Sequence, residues 1–502
     1  PRAARRRMKN GQVDLRLALP AVSAWLVAAV LQPASSSSIW TVAVVATACL
    51  GLSLLAARLT LAAVALGVAA GAATTAVHVS SLQRGAVAQL ARDKTTADVA
   101  LRLVRDPVEV RASTGRRLVV VDATATAVRS SHGGWVSDHA PVVVFAVAGH
   151  WLGLLPGQRV VVSARLAPPR PGDTVAAVVL AAQEPKPQGR PPPWQRWAGR
   201  VRDAFRQACS GLPEDERGLV PGLVLGDVSA MPPALTQAFR VTGLAHLNAV
   251  SGANVAIVLG AVTGGVRRLG VGRRLTTILA ALALAAFVVL VRPSPSVLRA
   301  AVMGAVVLVA SMLGRRSSPV PVLAAAVLGL VLVDPFLARS PGFAMSVLAT
   351  GAIVLVAPGW TERLSGSMPR PLAAAVAVPA AAQLACTPVI VAVFGQLTPL
   401  AIPANLLAAP AVAPATLAGI VAALLAVVLP SAAAVAAWVA SIPAGWLAVV
   451  ARTFAAVPGA GMRWPEGVGG VLLLAVTAAG VGVAGRLVRR RQAARPVERV
   501  GC

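Results

Sequence analysis

The 502-residue chain contains no tyrosine, only four cysteines and few acidic residues. The cysteines stand far apart, so their spacing fits neither a pair of metal ligands nor a disulfide framework. Three motifs are also absent from the sequence: the phosphate-binding pattern G-x-x-x-x-G-K-[ST], the G-x-S-x-G nucleophile elbow and an HxHxDH-like metal cluster. We therefore expect no nucleotide hydrolysis, no metal, no other cofactor and no enzymatic activity.

What the chain has in excess is apolar and basic residues. Hydrophobic residues make up 57% of it, and the mean hydropathy is +0.74, which is typical of a multispanning membrane protein. There are 46 basic residues against 18 acidic ones, a formal net charge of +28. Nearly all the basic residues are Arg, which coding bias explains as well as phosphate binding does. We expect many of them to mark cytoplasmic loops.

The first domain, 1–80, combines a basic N-terminus with three apolar runs. These runs, 17–31, 39–56 and 59–79, predict three transmembrane helices. We interpret the first as a retained span and not a cleaved signal peptide, because two more runs follow closely without a convincing cleavage site. A basic N-terminus stays inside the cell, so three crossings place the next residues outside.

Residues 81–190 have a different pattern. The apolar runs shorten to strand length, are rich in valine and are separated by Gly, Pro and Asp, which predicts a small extracytoplasmic β domain. Its basic excess favours a polyanionic ligand, but a solvated surface explains the charge equally well. Only Trp135, Phe145 and Trp151 could stack on bases, so the nucleic-acid signal is weak. The predicted strands are 98–104, 108–113, 117–128, 141–147, 158–168 and 175–182.

The segment 191–225 joins this domain to the next. It follows a proline-rich stretch, 184–194, and continues as a basic amphipathic pattern over 194–212. We expect a helix lying on the outer membrane surface. The alternative is a helix packed over the mouth of the helical bundle.

The largest domain, 226–485, carries nine further apolar runs, which bring the predicted total to about twelve spans. Arginine is concentrated in alternate loops, which agrees with residues 81–243 lying outside and the basic tail, 486–502, lying in the cytoplasm. The fold class is therefore a polytopic α-helical protein of the cytoplasmic membrane with an inserted small β domain. The nine runs are 244–265, 275–291, 295–313, 320–334, 341–357, 372–394, 402–429, 431–453 and 467–485.

The stretch 226–260 carries the strongest functional signal. It enters an apolar run while keeping polar side chains, and residues 251–252 interrupt the run where a helix could break. Polar groups at membrane depth usually face a bundle interior or a water-filled cavity. They either satisfy one another and the broken backbone or line a pore; a nucleophilic role for Ser251 is the weakest alternative. The candidate pore residues here are Asp227, His246, Asn248, Ser251, Gly252 and Asn254.

Further polar interruptions follow along the chain. Arg299 lies near the start of the run 295–313, where it either extends to the outer surface or faces a transport pathway. Gln383 and Asn405 are candidates for the same pathway, although polar contact between helices is the commoner role. The predicted helix-breaking prolines are Pro293, Pro295, Pro388 and Pro403.

Two blocks of sequence resemble a known family. The residues GLVLGD and LTQAFRVTGLAHLNAVSGANVAIV, within 222–258, and PSPSVLRAAVM at 293–303 are similar to the core of the ComEC-type competence proteins. The resemblance implies a channel that passes single-stranded DNA into bacteria and a β domain of the oligonucleotide/oligosaccharide-binding (OB) type. It also implies a separate DNA receptor and a cytoplasmic helicase-like ATPase, and it allows a homo-oligomer. Many members carry a metallo-β-lactamase-like domain. The HxHxDH-like metal cluster of such a domain is absent from this sequence.

Two other functions remain open on the sequence. A secondary transporter of a small molecule or ion would use broken helices equally well, and internal repeats would favour it. No convincing repeat is visible. An intramembrane hydrolase would require Ser251 and His246 to be in contact, which a spacing of five residues neither shows nor excludes.

Overall fold

A computed structural model of the protein describes residues 16–34, 36–111, 117–130, 133–147, 149–170, 173–248, 252–292, 295–312 and 318–493. These residues form mostly helices, with one sheet domain. They divide into two compact units. The first contains the described residues within Pro1–Pro232, His246–Phe343 and Ala411–Leu447, and the second those within Pro233–Ala245, Ala344–Pro410 and Ala448–Cys502.

Three apolar helices open the first unit, in agreement with the three predicted runs. They are α1 (Ala18–Leu31), α2 (Ser36–Leu55) and α3 (Leu59–Arg84). Helix α3 packs against both of the others, and small residues permit the close approach. A Cβ atom at Gly67 would lie 2.4 Å from the carbonyl oxygen of Pro20, and one at Gly71 would lie 2.8 Å from that of Ala24. Small residues at helix contacts are a common feature of membrane bundles.

A closed sheet follows. Strand β1 pairs antiparallel with both β3 and β5, β3 pairs antiparallel with β4, β4 pairs parallel with β6, and β6 returns antiparallel to β5. These five strands therefore form a ring, and β2 and β7 add to it at β3 and β5. Each predicted strand is confirmed within a few residues. The strands are β1 (Thr96–Leu103), β2 (Val108–Arg111), β3 (Arg117–Ser130), β4 (Val136–Val147), β5 (Arg159–Ala167), β6 (Ala177–Ala181) and β7 (Lys186–Gln188).

The interior of the barrel is filled by alternate side chains. Val99 and Leu101 of β1, Val121 of β3 and Val144 of β4 are fully buried, as their period of two requires. Trp151 is buried in the same core from a 3₁₀ turn between β4 and β5. The short helix α4 (Ala86–Arg92) packs against the barrel. The backbone N–H of its second residue, Val87, donates to the carboxylate of Asp138 at 2.8 Å.

The other described residues are mostly helical and include one short strand pair. Eight of the nine runs predicted after residue 240 are helical over most of their length, and in the run 244–265 the helix begins at Gly252. The helices are α5 (Pro193–Ala208), α6 (Glu214–Leu225), α7 (Pro233–Val241), α8 (Gly252–Arg268), α9 (Arg273–Val291), α10 (Pro295–Met312), α11 (Pro319–Val333), α12 (Pro341–Leu355), α13 (Ala357–Leu364), α14 (Arg370–Phe394), α15 (Ala401–Leu425), α16 (Pro430–Ala455) and α17 (Gly467–Ala493), and β8 (Gln396–Leu397) pairs with β9 (Met462–Arg463).

Among the described residues, six helices are long and apolar enough to cross a membrane: α2, α3, α9, α14, α15 and α16. Helices α12 and α13 form a pair bent by 45°, which raises the number to seven if the pair is one span. Helices α1, α10, α11 and α17 are apolar but contain shorter apolar stretches. The apolar helices thus indicate a membrane protein. Of the roughly twelve predicted spans, six or seven are long and apolar enough to cross a membrane.

Two predicted helix breaks are wrong. Helix α14 continues through Pro388 and through Pro379, and Pro403 lies in the first turn of a continuous α15. The N–H groups in the first turn of a helix have no partner within that helix, so a proline there costs no helical hydrogen bond. In apolar bundles, neighbouring groups and local adjustments accommodate prolines further along a helix. Helix α10 begins at Pro295, and Pro293 lies outside the described residues.

Helix α5 does not bury its apolar side in lipid headgroups. Ala198, Val201 and Phe205 are buried, and the helix packs against α6 and α9. Trp194 and Trp197 remain exposed at its start. The apolar side of this amphipathic helix is therefore covered by protein, contrary to the predicted position on the membrane surface.

Candidate functional site

The candidate site begins where α6 ends. Three acidic residues, Glu214, Asp215 and Glu216, occupy the first turn of α6, where the helix dipole favours negative charge. The helix ends at Gly226, whose φ of 69° is left-handed and is reached easily only by glycine. Its N–H donates to the carbonyl of Gly222 at 2.9 Å, a common way to close a helix. The backbone therefore leaves the helix at Asp227, the next residue.

Asp227 lies in a buried ionic cluster and not in an open pore. It is 9% exposed and accepts hydrogen bonds from the hydroxyl of Ser229 at 2.6 Å and its N–H at 3.2 Å. Its other oxygen lies 3.3 Å from a guanidinium nitrogen of both Arg202 and Arg206 on α5. Burial alone raises the pKa of Asp227. The Ser229 hydrogen bonds and the two positive charges outweigh burial, so the pKa lies below its ordinary value.

Arg202 is the residue that connects these helices, and the sequence analysis did not single it out. Its Nη1 donates to the carbonyl oxygens of Leu225 at 3.3 Å and Leu290 at 3.2 Å, in the last turns of α6 and α9. Those carbonyls carry the negative ends of two helix dipoles, which a guanidinium stabilises. Burial lowers the pKa of Arg202, and the charge of Asp227 opposes that effect. The signal in the sequence was an arginine inside the apolar stripe of α5.

A second ion pair ties the barrel to the helices of the first unit. The Nε of Arg292, between α9 and α10, donates to the carboxylate of Asp106 at 2.8 Å. Asp106 belongs to the loop between β1 and β2. Arg292 also donates to the side-chain oxygen of Gln195 on α5. Its backbone has a φ of 74°, which is uncommon for a residue with a side chain. The predicted runs 275–291 and 295–313 leave Arg292 in the short loop between them.

The side chain of Asn254 is hydrogen-bonded to a backbone carbonyl and does not face an open channel. It is 4% exposed, and its Nδ2 donates to the carbonyl oxygen of Leu223 at 2.9 Å. That carbonyl belongs to the last turn of α6, whose final carbonyls have no partner within the helix. The sequence left open whether Asn254 satisfies the broken backbone at 251–252 or lines a pore, and its partner here is a carbonyl of another helix, α6.

Arg299 is also buried, and it lies beside the first residue of α8. Its side chain is 4% exposed, so it does not extend to the outer surface as one alternative required. Its Nη1 lies 3.1 Å from the sulfur of Met303. A Cβ atom on Gly252 would be 3.7 Å from its Nη2. The guanidinium therefore lies close to the N-terminus of α8, the end of a helix that carries positive partial charge.

The other candidates occupy less specific surroundings. His246 is exposed in a 3₁₀ turn, Ala245–Leu247, and the Nδ2 of Asn248 lies 3.3 Å from the sulfur of Met231. Ser251 lies outside the described residues. In the second unit, the Nε2 of Gln383 donates to the hydroxyl of Thr398 at 3.1 Å. Asn405 donates to the carbonyl of Ala401 at 2.8 Å, within its own helix.

The structure thus brings Asp227, Asn248, Gly252, Asn254 and Arg299 into one region of the first unit, around the end of α6 and the start of α8. Gln383 and Asn405 make local contacts within the second unit. Among the described residues, no group of three His, Cys, Asp or Glu side chains could hold a metal ion.

Comparison with known proteins shows which family the helical region matches. A family model described as "Competence protein" matches residues 223–489, or 267 of the 502 residues. The chain is 29% identical over 199 residues to "ComE operon protein 3" of Bacillus subtilis (strain 168), covering 40% of this chain and 25% of that protein. It is 43% identical over 63 residues to "Competence protein ComA" of Neisseria gonorrhoeae, covering 12% of this chain and 9% of that protein. The chain thus matches a quarter or less of these relatives' lengths, and no solved structure matches it.

Proposed function

Because the chain belongs to the competence protein family, we propose that it forms a channel that moves single-stranded DNA across the cytoplasmic membrane during natural transformation. The names of its relatives refer to competence, and DNA uptake is the transport step that competence requires. A pore needs no covalent chemistry of its own, so energy and strand separation would come from a helicase-like ATPase and a separate DNA receptor.

The observation that carries this proposal is the position of Arg299. Its guanidinium and the N-terminus of α8 are two positive groups side by side. Backbone N–H groups at a helix N-terminus and a guanidinium are both good phosphate ligands. Gly252 has no side chain to keep a phosphate from the backbone. We infer that this pair contacts the phosphates of the strand when the region opens. Both Arg299 and Asn254 are 4% exposed, so we infer that the path opens before a strand can reach them.

We infer that the barrel is an OB-type domain that receives the strand outside the cell. A five-stranded ring with one parallel pair, β4 with β6, supports this assignment. Of the three aromatic residues noted in the sequence, Trp135 is 44% exposed, whereas Trp151 is buried in the core. Arg129 lies 5.1 Å from the centre of the Trp135 ring. An exposed ring with an adjacent arginine is suited to stacking on a base.

We further propose twelve spans, with 81–243 outside and the C-terminal tail in the cytoplasm. The seven spans supported by length and hydropathy leave the four shorter apolar helices α1, α10, α11 and α17, together with α8, to complete the number. Shorter helices cross a bilayer when they are buried among longer ones or when the bilayer thins around them. Impermeant maleimide labelling of a cysteine at Ser137, an exposed barrel residue, tests this orientation: labelling in intact cells supports it, and labelling only after lysis refutes it.

The decisive experiment measures DNA uptake at equal membrane abundance. In a deletion strain of the source organism, the wild-type gene should restore transformation and Arg299→Gln should restore at most about a tenth of it, because one charge-assisted contact contributes about 1.5–3 kcal/mol. Arg299→Lys should keep more activity because it keeps the charge. The exposed Arg240 supplies the matched control, and Arg240→Gln should behave as wild type.

Two outcomes would contradict the proposal at different levels. Normal uptake with Arg299→Gln would remove this residue from the path while leaving the channel function intact. Normal transformation in the deletion strain would remove the channel function itself. In vesicles containing the purified protein, entry of small solutes without entry of a labelled single strand would instead favour a secondary transporter.

A further inference from the structure

A cavity lies in the first unit, where the ends of the first helices meet the barrel. Its volume is about 470 Å³. The walls come from the turn after α1, the last turns of α3, helix α4, the segment between β5 and β6, and the 3₁₀ turn Pro335–Arg339. A cavity of this size is large enough for a small polar group and part of an attached chain.

The walls of this cavity are held by specific contacts. The Nε2 of Gln32, just after α1, donates to the carbonyl oxygen of Pro335 at 2.6 Å. The ring of Phe336 packs edge to face against His78 of α3, with centroids 6.1 Å apart. The carboxylate of Asp334 accepts from the N–H of Phe336 at 3.0 Å and begins the 3₁₀ turn. The site is therefore preformed and does not depend on a ligand to organise it.

The polar side of the cavity is positively charged. Arg92, Arg170 and Arg339 line it, and within the described part of the chain their guanidinium groups form no ion pair. One carboxylate, Asp173, also lines the cavity, so three positive charges and one negative charge leave +2. That carboxylate already accepts from the backbone N–H of Arg170 at 2.9 Å. The lining thus offers several free donors to an anion.

The cavity also has apolar lining residues. Pro33, Val79, Leu82 and Phe336 line it, and α1 continues from it with exposed apolar residues such as Val30. Helix α3 is long and apolar enough to cross a membrane, and α1 beside it is a shorter apolar helix, so in a bilayer their ends at this cavity would lie near the lipid headgroups. A ligand that matches both kinds of lining has a phosphate at one end and hydrocarbon at the other.

We propose that this cavity binds the headgroup of an anionic phospholipid, with the phosphate between Arg92, Arg170 and Arg339 and the acyl chains along α1. A nucleic-acid strand fits less well, because half of the lining is hydrocarbon and none of the lining residues provides an exposed indole for stacking. The proposal does not depend on the transport of DNA. It requires only that the first helices lie in a membrane.

Native mass spectrometry of the full-length chain in detergent tests this site. Purified protein is titrated with phosphatidylglycerol, with phosphatidylcholine, and with phosphatidylglycerol in the presence of a single-stranded oligonucleotide. The variant Arg92→Gln/Arg170→Gln/Arg339→Gln removes the cavity charges. The control Arg84→Gln/Arg102→Gln/Arg165→Gln removes the same charge from exposed positions near by that do not line the cavity.

We expect the wild type and the control to retain one phosphatidylglycerol in preference to phosphatidylcholine. The cavity variant should bind it about 100-fold more weakly, and Arg170→Gln alone roughly five-fold more weakly. The single variant changes one exposed side chain, so it tests the site even if the triple variant folds poorly. Equal losses in the cavity variant and the control, or equal retention of both lipids, would overturn the proposal. Displacement of phosphatidylglycerol by the oligonucleotide would overturn it in favour of a nucleic-acid site.

Discussion

Replacing Asp227 by Asn should destabilise the protein far more than a conservative change usually does. The substitution keeps the size of the side chain and an oxygen that can accept from Ser229, but it removes the charge that faces Arg202. Arg202 is buried and cannot move into water without leaving the carbonyls of Leu225 and Leu290. Breaking a buried ion pair by removing one partner costs about 3–5 kcal/mol. Because Arg202 retains two carbonyl contacts, we expect a loss of about 3 kcal/mol, or roughly 100-fold in the folding equilibrium.

The matched control is Asp203→Asn. Asp203 pairs with Arg206 at 2.6 Å, but its side chain is 69% exposed, so its loss should cost at most about 1 kcal/mol. Both variants remove a carboxylate partner of Arg206, and they differ in burial. The measurement is denaturant unfolding in a mild detergent, followed by tryptophan fluorescence. If Asp227→Asn unfolds at the same denaturant concentration as Asp203→Asn, the ionic cluster contributes little to stability.

The pH dependence gives an independent test of the same cluster. The pKa of Asp227 is lowered in the folded protein, so its contribution to stability is complete above the unfolded pKa of about 3.9. It is lost as the pH falls through the lower, folded pKa. The difference in stability between wild type and Asp227→Asn should therefore be constant from pH 5 to 8 and should shrink below about pH 4. A difference that disappears near pH 6 would contradict this assignment.

Three further predictions follow from close contacts and burial. Gly218→Ala should destabilise the folded protein by about 1–3 kcal/mol, because the new Cβ would lie 2.4 Å from the Cα of Met231. The control is Gly260→Ala, whose Cβ would meet nothing within 4 Å; it should be neutral or stabilising in the same unfolding assay. Cys209 is buried and its pKa is raised to about 12, so maleimide should label it only after denaturation; labelling in the folded protein would contradict its burial. Asn254→Ala should lower membrane abundance, measured by immunoblot, because it leaves the carbonyl of Leu223 without its donor, at about 1–3 kcal/mol; unchanged abundance would argue against a structural role.

The elements that the sequence predicted well are those specified by local patterns. Strand β1 alternates buried and accessible side chains over its eight residues, and the sequence shows this alternation directly. The helices after residue 240 follow from long apolar runs in the same way. Closure of the barrel was not predictable from spacing, because the pairing of β1 with β5 joins residues about 60 positions apart. The break at Pro388 was wrong because neighbouring groups in an apolar bundle accommodate a proline inside a helix, and the break at Pro403 was wrong because that proline lies in the first turn of α15.

The role of Arg202 shows why the site was harder to predict than the fold. An arginine within the apolar stripe of α5 is compatible with a lipid phosphate, a DNA phosphate or a helix end, and the sequence does not distinguish these partners. The distinction depends on two carbonyls located 23 and 88 residues away. Asn254 was ambiguous for the same reason, since its partner is a backbone atom that no side-chain pattern reports.

These contacts also explain why the barrel and the start of the competence region belong to one unit. Asp106 of the barrel binds Arg292 between α9 and α10, and Arg292 contacts Gln195 of α5. The same helix supplies Arg202 and Arg206 to Asp227, at the end of α6. Helix α5 thus contacts Arg292 through Gln195 and the end of α6 through Arg202 and Arg206, and Arg292 in turn binds the barrel loop. Arg299 lies in the first turns of α10, a few residues after Arg292.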